Sequence, residues 1–494
     1  MSVGFDNNLY VQKQAENIRK RISEFGNKLY LEFGGKMFDD YHAARVLPGF
    51  DLNAKIKLLQ EFKDTAEIVF CINAADIEKN KIRADFGITY ENDVLRQIDN
   101  IRKMDLYVSS VVITQYRGQV NADTFRKKLE LNGIKTYLHY PIPGYPTDIN
   151  LVVSDHGYGL NDYIVTTRPL VVVTAPGPCS GKLATCLSQL YHENKRGIDA
   201  GYAKFETFPI WNIPLKHPVN LAYEAATADL KDVNMIDPFH LEAYGKTAIN
   251  YNRDVEVFPV LKNILLKIKG REVYKSPTDM GVNMAGYGIV NDDIVKDAAK
   301  QEIIRRYFHA SCDYKFGRVD QETVTRIQCI MQELDITVDN RLVVEASHQR
   351  AEESKSPSMA IQLKDKDHTI ITGRTSELMD CCAATLINAI KHLAGISIDI
   401  KLLSPTVLEP ILKTKGQLHE KTTSLNMSEV LIALSVCSVT NPIAEACLSK
   451  VFELKDCEVH TTTIPSPTNA ETMRKLGLNA TSDPKFGDSD LYFH

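Results

Sequence analysis

The chain has 494 residues, a charged fraction of 24% with both signs interspersed, and a net charge of −5. That length exceeds one ordinary core and calls for several folded units, while the charge balance disfavours a nucleic-acid partner. No segment approaches the roughly 20 apolar residues of a membrane span, the opening stretch has no apolar core behind a basic head, and the ten scattered cysteines form no C-x-x-C; the expectation is a cytoplasmic protein with reduced thiols and no membrane partner.

In chain order, short β-rich runs come first: KLYLEF, AEIVFCIN, SSVVITQY, KTYLHY, INLVVS and PLVVVTA, separated by amphipathic stretches such as NDVLRQIDNIRKM and ADTFRKKLELNG. Strands alternating with helices predict an open, mostly parallel α/β sheet over residues 1–245, with ligands in the loops beyond the carboxyl ends of the strands. From about Asp254 the apolar spacing becomes three and four, in VFPVLKNILLKI, NDDIVKDAAKQEIIRRYFHA and QETVTRIQCIMQELD, which predicts a mainly helical domain over 246–335. Strand-like runs return in RLVVEASH, MAIQL, HTIITG and CEVHTTTI around a long helix candidate, SELMDCCAATLINAIKHLAG, so residues 336–494 read as a second α/β domain.

The stretch TAPGPCSGKLAT, residues 174–185, has the order of a phosphate loop: an apolar strand, a Gly-rich turn, then a helix beginning near Gly181 with Ser180 as N-cap. A helix N-terminus favours an anion and Lys182 adds a full charge, so Gly177, Cys179, Ser180, Gly181 and Lys182 are the phosphate-binding candidates. The match to G-x-x-x-x-G-K-[ST] is imperfect. Pro176 and Pro178 lack N–H donors, and Leu183 replaces the hydroxyl that would ligate Mg²⁺. Arg168, upstream, is a candidate phosphate clamp because its guanidinium can donate two parallel hydrogen bonds.

Four further stretches carry chemistry. EFGGKMFDDYHAARVLPGF offers Gly34, Gly35, Lys36, Asp39, Asp40, His42 and Arg45 as a substrate-binding edge, with glycines for close backbone approach and an acid, a base and a cation nearby. Asp155, read as ending the strand INLVVS, and Asp237, before Pro238 with His240 and Glu242 close by, are the metal candidates for a Mg²⁺-bound nucleotide. TGRTSEL places Gly373, Arg374, Thr375 and Ser376 before a helix as a second anion-binding candidate, and His460 lies in a strand without an identifiable partner. The Gly-rich MGVNMAGYGIVND reads as a mobile loop or lid, or equally as a linker. No H-E-x-x-H, G-x-S-x-G or G-x-G-x-x-G occurs, and His240-x-Glu242 has no P-C-x-x-C partner.

Several long phrases, among them KLYLEFGGKMFDDYHAARVLPGF, VVVTAPGPCSGKLATCLSQLYHE and GYAKFETFPIWNIPLKHPVNLAYEAATADL, together with DVNMIDPFHLEAYGKTAINYNRD, resemble a bacterial family, domain of unknown function eighteen forty-six, through nearly the whole chain. The resemblance implies an α/β nucleotide-binding-like N-terminal part, a helical middle, a C-terminal α/β domain and a homo-oligomer, and no reaction. It also implies that glycine commonly stands where this chain has Cys179. The expectation is therefore an enzyme acting on a phosphorylated small molecule or nucleotide: a phosphotransferase, an NTP-dependent ligase or a hydrolase. The alternatives are a non-catalytic metabolite-binding or assembly protein, and chemistry in the C-terminal domain around Arg374 and His460.

Overall fold

Seven parallel strands form the frame of the first unit, which comprises Met1–Glu224 and Lys231–Ala299 in a computed structural model describing residues 3–83, 87–418 and 423–487. In chain order they are β1 (Leu29–Phe33), β2 (Ala66–Asn73), β3 (Val108–Thr114), β4 (Lys135–Leu138), β5 (Leu170–Thr174), β6 (Gly201–Phe205) and β7 (Gly281–Val282). Their spatial order is β7-β6-β1-β5-β2-β3-β4. Residues of β1 and β5 are buried throughout, as an apolar run covered on both faces requires. The chain leaves β1, skips one position to lay down β2, and returns with β5 to fill the gap, pairing Leu31 with Val172 and Val69 with Val173. That crossing makes β5 the central strand, so the turn after it lies at the middle of the carboxyl edge.

The second unit comprises Ala225–Leu230 and Lys300–His494. Its sheet contains β8 (Ser358–Gln362), β9 (Ile370–Arg374), β10 (Glu458–Thr461) and β11 (Asn479–Ser482), ordered β9-β8-β10-β11, with β8 antiparallel to both neighbours and β10 parallel to β11. Helix Cys381–Leu393 buries Cys382, Leu386 and Ile390 in one core with Met359, Ile361 and Val459 from the strands.

Two stretches read as strands are helical. INLVVS forms the helical turn Ile149–Val152, because Asp148 accepts from the Leu151 N–H and caps it. RLVVEASH opens helix Leu342–Ser354, where Val343, Val344 and Ser347 bury one face; the Val-Val pair resembles a strand locally, but the helical period governs. The Gly-rich stretch after Met280 is close-packed rather than a lid. A Cβ on Gly281 would lie 2.6 Å from the Trp211 ring, and one on Gly288 would lie 2.6 Å from the Phe5 ring. Among the described residues no helix is long and apolar enough to cross a membrane. All ten cysteines are free, and seven are buried.

Candidate functional site

The loops leaving β1 and β5 are neighbours because the strands are, so the two glycine-rich stretches of the sequence meet on one edge. After β5, the chain turns through residues 175–181 into helix Lys182–Lys195. Gly181, not Ser180, is the N-cap. It adopts φ +81°, and a Cβ there would lie 2.9 Å from Thr114 at the end of β3, so only glycine fits. Ser180 holds the turn instead. Its hydroxyl donates to the Gly177 carbonyl at 2.8 Å, and its own carbonyl accepts from Thr114 Oγ1 at 2.8 Å. The Asn73 amide at the end of β2 donates to the Cys179 carbonyl at 3.3 Å, and Gly177 gives room to the Tyr90 ring.

The helix start has no side-chain cap, which leaves its first N–H groups directed at the carboxyl edge with the positive end of the dipole. Among the described residues, Lys182 has no carboxylate within ion-pair distance. Cys179 is exposed and held at φ +56°, a conformation that costs an L-residue about 1–2 kcal/mol. Cys179→Gly should therefore raise stability by about 0.5 kcal/mol after the entropic cost of glycine, read as a thermal midpoint no lower than wild type. A clear fall would show that the thiol side chain itself makes a contact the fold needs.

The turn after β1 wraps around a buried ammonium. Lys55 Nζ donates to the carbonyls of Gly34 (3.0 Å) and Lys36 (2.8 Å) and lies 3.4 Å from Asp40 Oδ2. Gly35, at φ +67°, would bring a Cβ within 3.1 Å of that nitrogen. Burial pushes the Lys55 ammonium below the ordinary lysine range; Asp40 opposes the shift, and the nearby charge of Lys182 adds to it. Two lysines thus repel each other across adjacent turns. Asp40, rather than Asp39, is the carboxylate at the cage; Asp39 sits half-buried at φ +55°. His42 lies edge-on to the rings of Phe208 (5.4 Å) and Tyr223 (5.5 Å), and Arg45 ends the same short helix, Tyr41–Val46.

Sequence reasoning missed two residues here. Lys55 sits at a core position of helix Ala54–Gln60, three and four residues before the buried Leu58 and Leu59. A lysine in line with an apolar face is the mark that identifies it. Glu206 follows β6, whose Phe205 pairs with Phe33 of β1, so it belongs to the same carboxyl edge. It is 7% exposed and bridged to Lys204 at 2.6 Å; Lys204 also pairs with Asp254. Burial raises the Glu206 carboxyl to about 7, with Lys204 opposing and Asp254 and Glu32 adding. A carboxyl that titrates near neutrality is matched to general acid or base work.

The remaining candidates lie elsewhere. Arg168 precedes β5 while the turn follows it, which separates them by roughly 17 Å of strand. Its guanidinium donates to the carbonyls of Lys63 and Ala66, each at 2.6 Å, and lies over the Tyr107 ring. Asp155 is in an exposed turn, bound to Tyr191 and Lys195. Asp237 is fully buried as the N-cap of helix Pro238–Tyr244, accepting from the His240 N–H and from both the N–H and the hydroxyl of Thr278. His240 pairs with Ser276, and Glu242 is exposed. At TGRTSEL the helix begins later, at Cys381, with Asp380 accepting from the Ala383 N–H; an anionic cap already occupies that N-terminus. Gly373 is glycine because a Cβ would lie 2.4 Å from the Thr385 nitrogen. Thr375 and Ser376 accept N–H bonds from Cys381 and Met379.

Residues 3–335 match the family described as Domain of unknown function DUF1846, N-terminal, and residues 339–492 match its C-terminal counterpart. Over its whole length the chain is similar to a UPF0371 protein of Clostridium botulinum strain Kyoto / Type A2, with 57% identity over 502 residues and 100% of each chain covered. The UPF0371 protein of strain Langeland / NCTC 10281 / Type F is 56% identical over 502 residues, again with 100% of both chains covered.

Proposed function

The chain belongs to the DUF1846 family, and from its own geometry we propose that it binds a phosphorylated small molecule or nucleotide by the phosphate, at the middle of the carboxyl edge of the parallel sheet. The observation that carries the reading is Lys182, without a carboxylate partner among the described residues, at the uncapped start of a 14-residue helix beside a second, buried lysine, Lys55. Helix N–H groups, a dipole end and an ammonium that lacks a counter-charge together select an anion. Gly34, Gly35, Gly177 and Gly181 keep the turns tight, and Lys55 fixes the β1 turn from inside.

Magnesium is not needed for this reading. Asp237 has its carboxylate taken by three donors and Asp155 is paired with Lys195, so neither is free for a phosphate-bound ion. Where chemistry follows binding, Glu206 is the group suited to move a proton. Calorimetric titration of inorganic phosphate, ATP and GTP tests the reading. Wild type should bind at least one of them at millimolar concentration or below, and Lys182→Ala should lose roughly tenfold or more, the size of a charged hydrogen bond. Absence of binding by wild type, or equal binding by the variant, overturns it.

A further inference from the structure

Three side chains distant in sequence, His348, His460 and Asp483, each bring one ligand atom to within 4.8 Å of the others inside the second unit. The strand register explains the meeting. His460 of β10 pairs with Thr481 of β11, and Asp483, two residues on, continues the face that carries Thr481. His460 is completely buried, with Nδ1 2.9 Å from Thr481 Oγ1 and Nε2 3.1 Å from Asp483 Oδ1. The other carboxylate oxygen lies 2.8 Å from His348 Nε2, on helix Leu342–Ser354.

The hydrogen bonds around Thr481 allow a His460 tautomer that turns the Nε2 lone pair toward Asp483. Thr481 Oγ1 donates its single proton to the Val459 carbonyl at 3.0 Å and accepts from Arg341 Nε at 3.1 Å. With its proton so placed it accepts from His460 Nδ1, the tautomer that a metal-binding imidazole uses; with the proton turned to Nδ1, Nε2 carries the hydrogen instead. In the first tautomer Nε2 presents a lone pair on the Asp483 side, the arrangement that a shared cation bridges.

We propose that His348, His460 and Asp483 are the protein ligands of a divalent first-row transition ion of the Zn²⁺ class. Two imidazoles select against Mg²⁺ and Ca²⁺, which take oxygen donors. Two histidines and one carboxylate form a three-ligand set that leaves a coordination position open. A tetrahedral ion at about 2.1 Å from each ligand separates them by about 3.4 Å, so the two nitrogen–oxygen spacings, 3.1 and 2.8 Å, open by a few tenths of an ångström to admit one. His348, with a side chain 44% exposed, is the ligand able to move. The bond from His460 Nδ1 to Thr481 is the outer-shell contact that orients a metal-binding imidazole, and the Phe308 ring covers His460 at 4.7 Å.

The test uses the full chain, stripped with a chelator and titrated with Zn²⁺, and separately with Co²⁺ followed by visible absorption. One equivalent should bind. His348→Ala and Asp483→Asn should each weaken Zn²⁺ at least about tenfold, the lower bound set by losses at outer-shell positions, and both should lose the Co²⁺ band. Unchanged Zn²⁺ affinity in both variants overturns the proposal, since the metal then sits elsewhere, on cysteines for example. Failure of wild type to take up a stoichiometric ion also overturns it, leaving the three side chains joined by hydrogen bonds alone.

Discussion

Arg341→Ala should lower the opening free energy of the β10 and β11 amides by about 3 kcal/mol, the scale of breaking a buried network of charged hydrogen bonds. Arg341 is 1% exposed, the largest fully buried side chain of the described residues. Its guanidinium donates in four directions: to Thr481 Oγ1, to Glu458, and to the carbonyls of Val459 (3.1 Å) and Asn479 (2.9 Å). Removing it leaves Glu458 to Arg305, which also serves Glu302, and takes a charged donor from two strand carbonyls. Arg341→Lys should give a smaller loss, because the ammonium keeps a charge for Glu458, but a loss all the same, since it cannot reach every acceptor that a planar fork joins. Hydrogen exchange reads this locally. Wild-type protection in Arg341→Ala would show that the network contributes nothing to holding these strands. The same substitution removes a donor from Thr481 and should loosen the orientation of His460.

Acid should unfold the first unit in part through His139. This residue follows β4 and is 3% exposed, with Nε2 donating to the Asp162 carbonyl at 3.1 Å and Nδ1 facing Thr185 Oγ1 at 3.3 Å. Burial lowers its pKa from 6.5 to about 4; the Asp162 carbonyl opposes the shift and the charge of His192 adds to it. Between those two values the unfolded chain holds the extra proton, so stability is present above about pH 6.5 and is lost as pH falls through about 4. The full loss is about 3 kcal/mol, with about 2 kcal/mol of it gone by pH 4.5. Glu206 works in the opposite sense: its raised pKa favours the folded state at low pH and withdraws that contribution as pH rises toward about 7. The informative quantity is therefore the difference between wild type and His139→Gln. Urea unfolding at pH 7 and pH 4.5 should show wild type losing about 2 kcal/mol more than the variant. Equal losses would mean that the buried imidazole is not what makes the fold acid-sensitive.

Much of the scaffold was legible because it rests on local patterns. Uninterrupted apolar runs such as LVVVT can be satisfied only by a strand buried on both faces, and their alternation with amphipathic helices implies a parallel sheet. Where two β-branched residues opened an amphipathic helix, as in RLVVEASH, the local pattern misled. The glycines of the lid candidate were misread for a related reason: a glycine needed by a neighbour's ring looks the same in sequence as a flexible one.

By itself, then, the sequence determined the strand–glycine–lysine order at 174–182, the absence of a hydroxyl at Leu183, and the class of fold, because each depends on residues adjacent in the chain. Tertiary structure alone decided which groups meet. Placing β5 between β1 and β2 set Lys182 beside Lys55, took Arg168 to the far end of its strand, and brought Glu206 to the shared edge. In the second unit the parallel register of β10 and β11 turned a strand histidine with no visible partner into one facing a carboxylate and a second imidazole. Strand order and register are set by which apolar faces bury one another across hundreds of residues, and no short-range pattern encodes that choice.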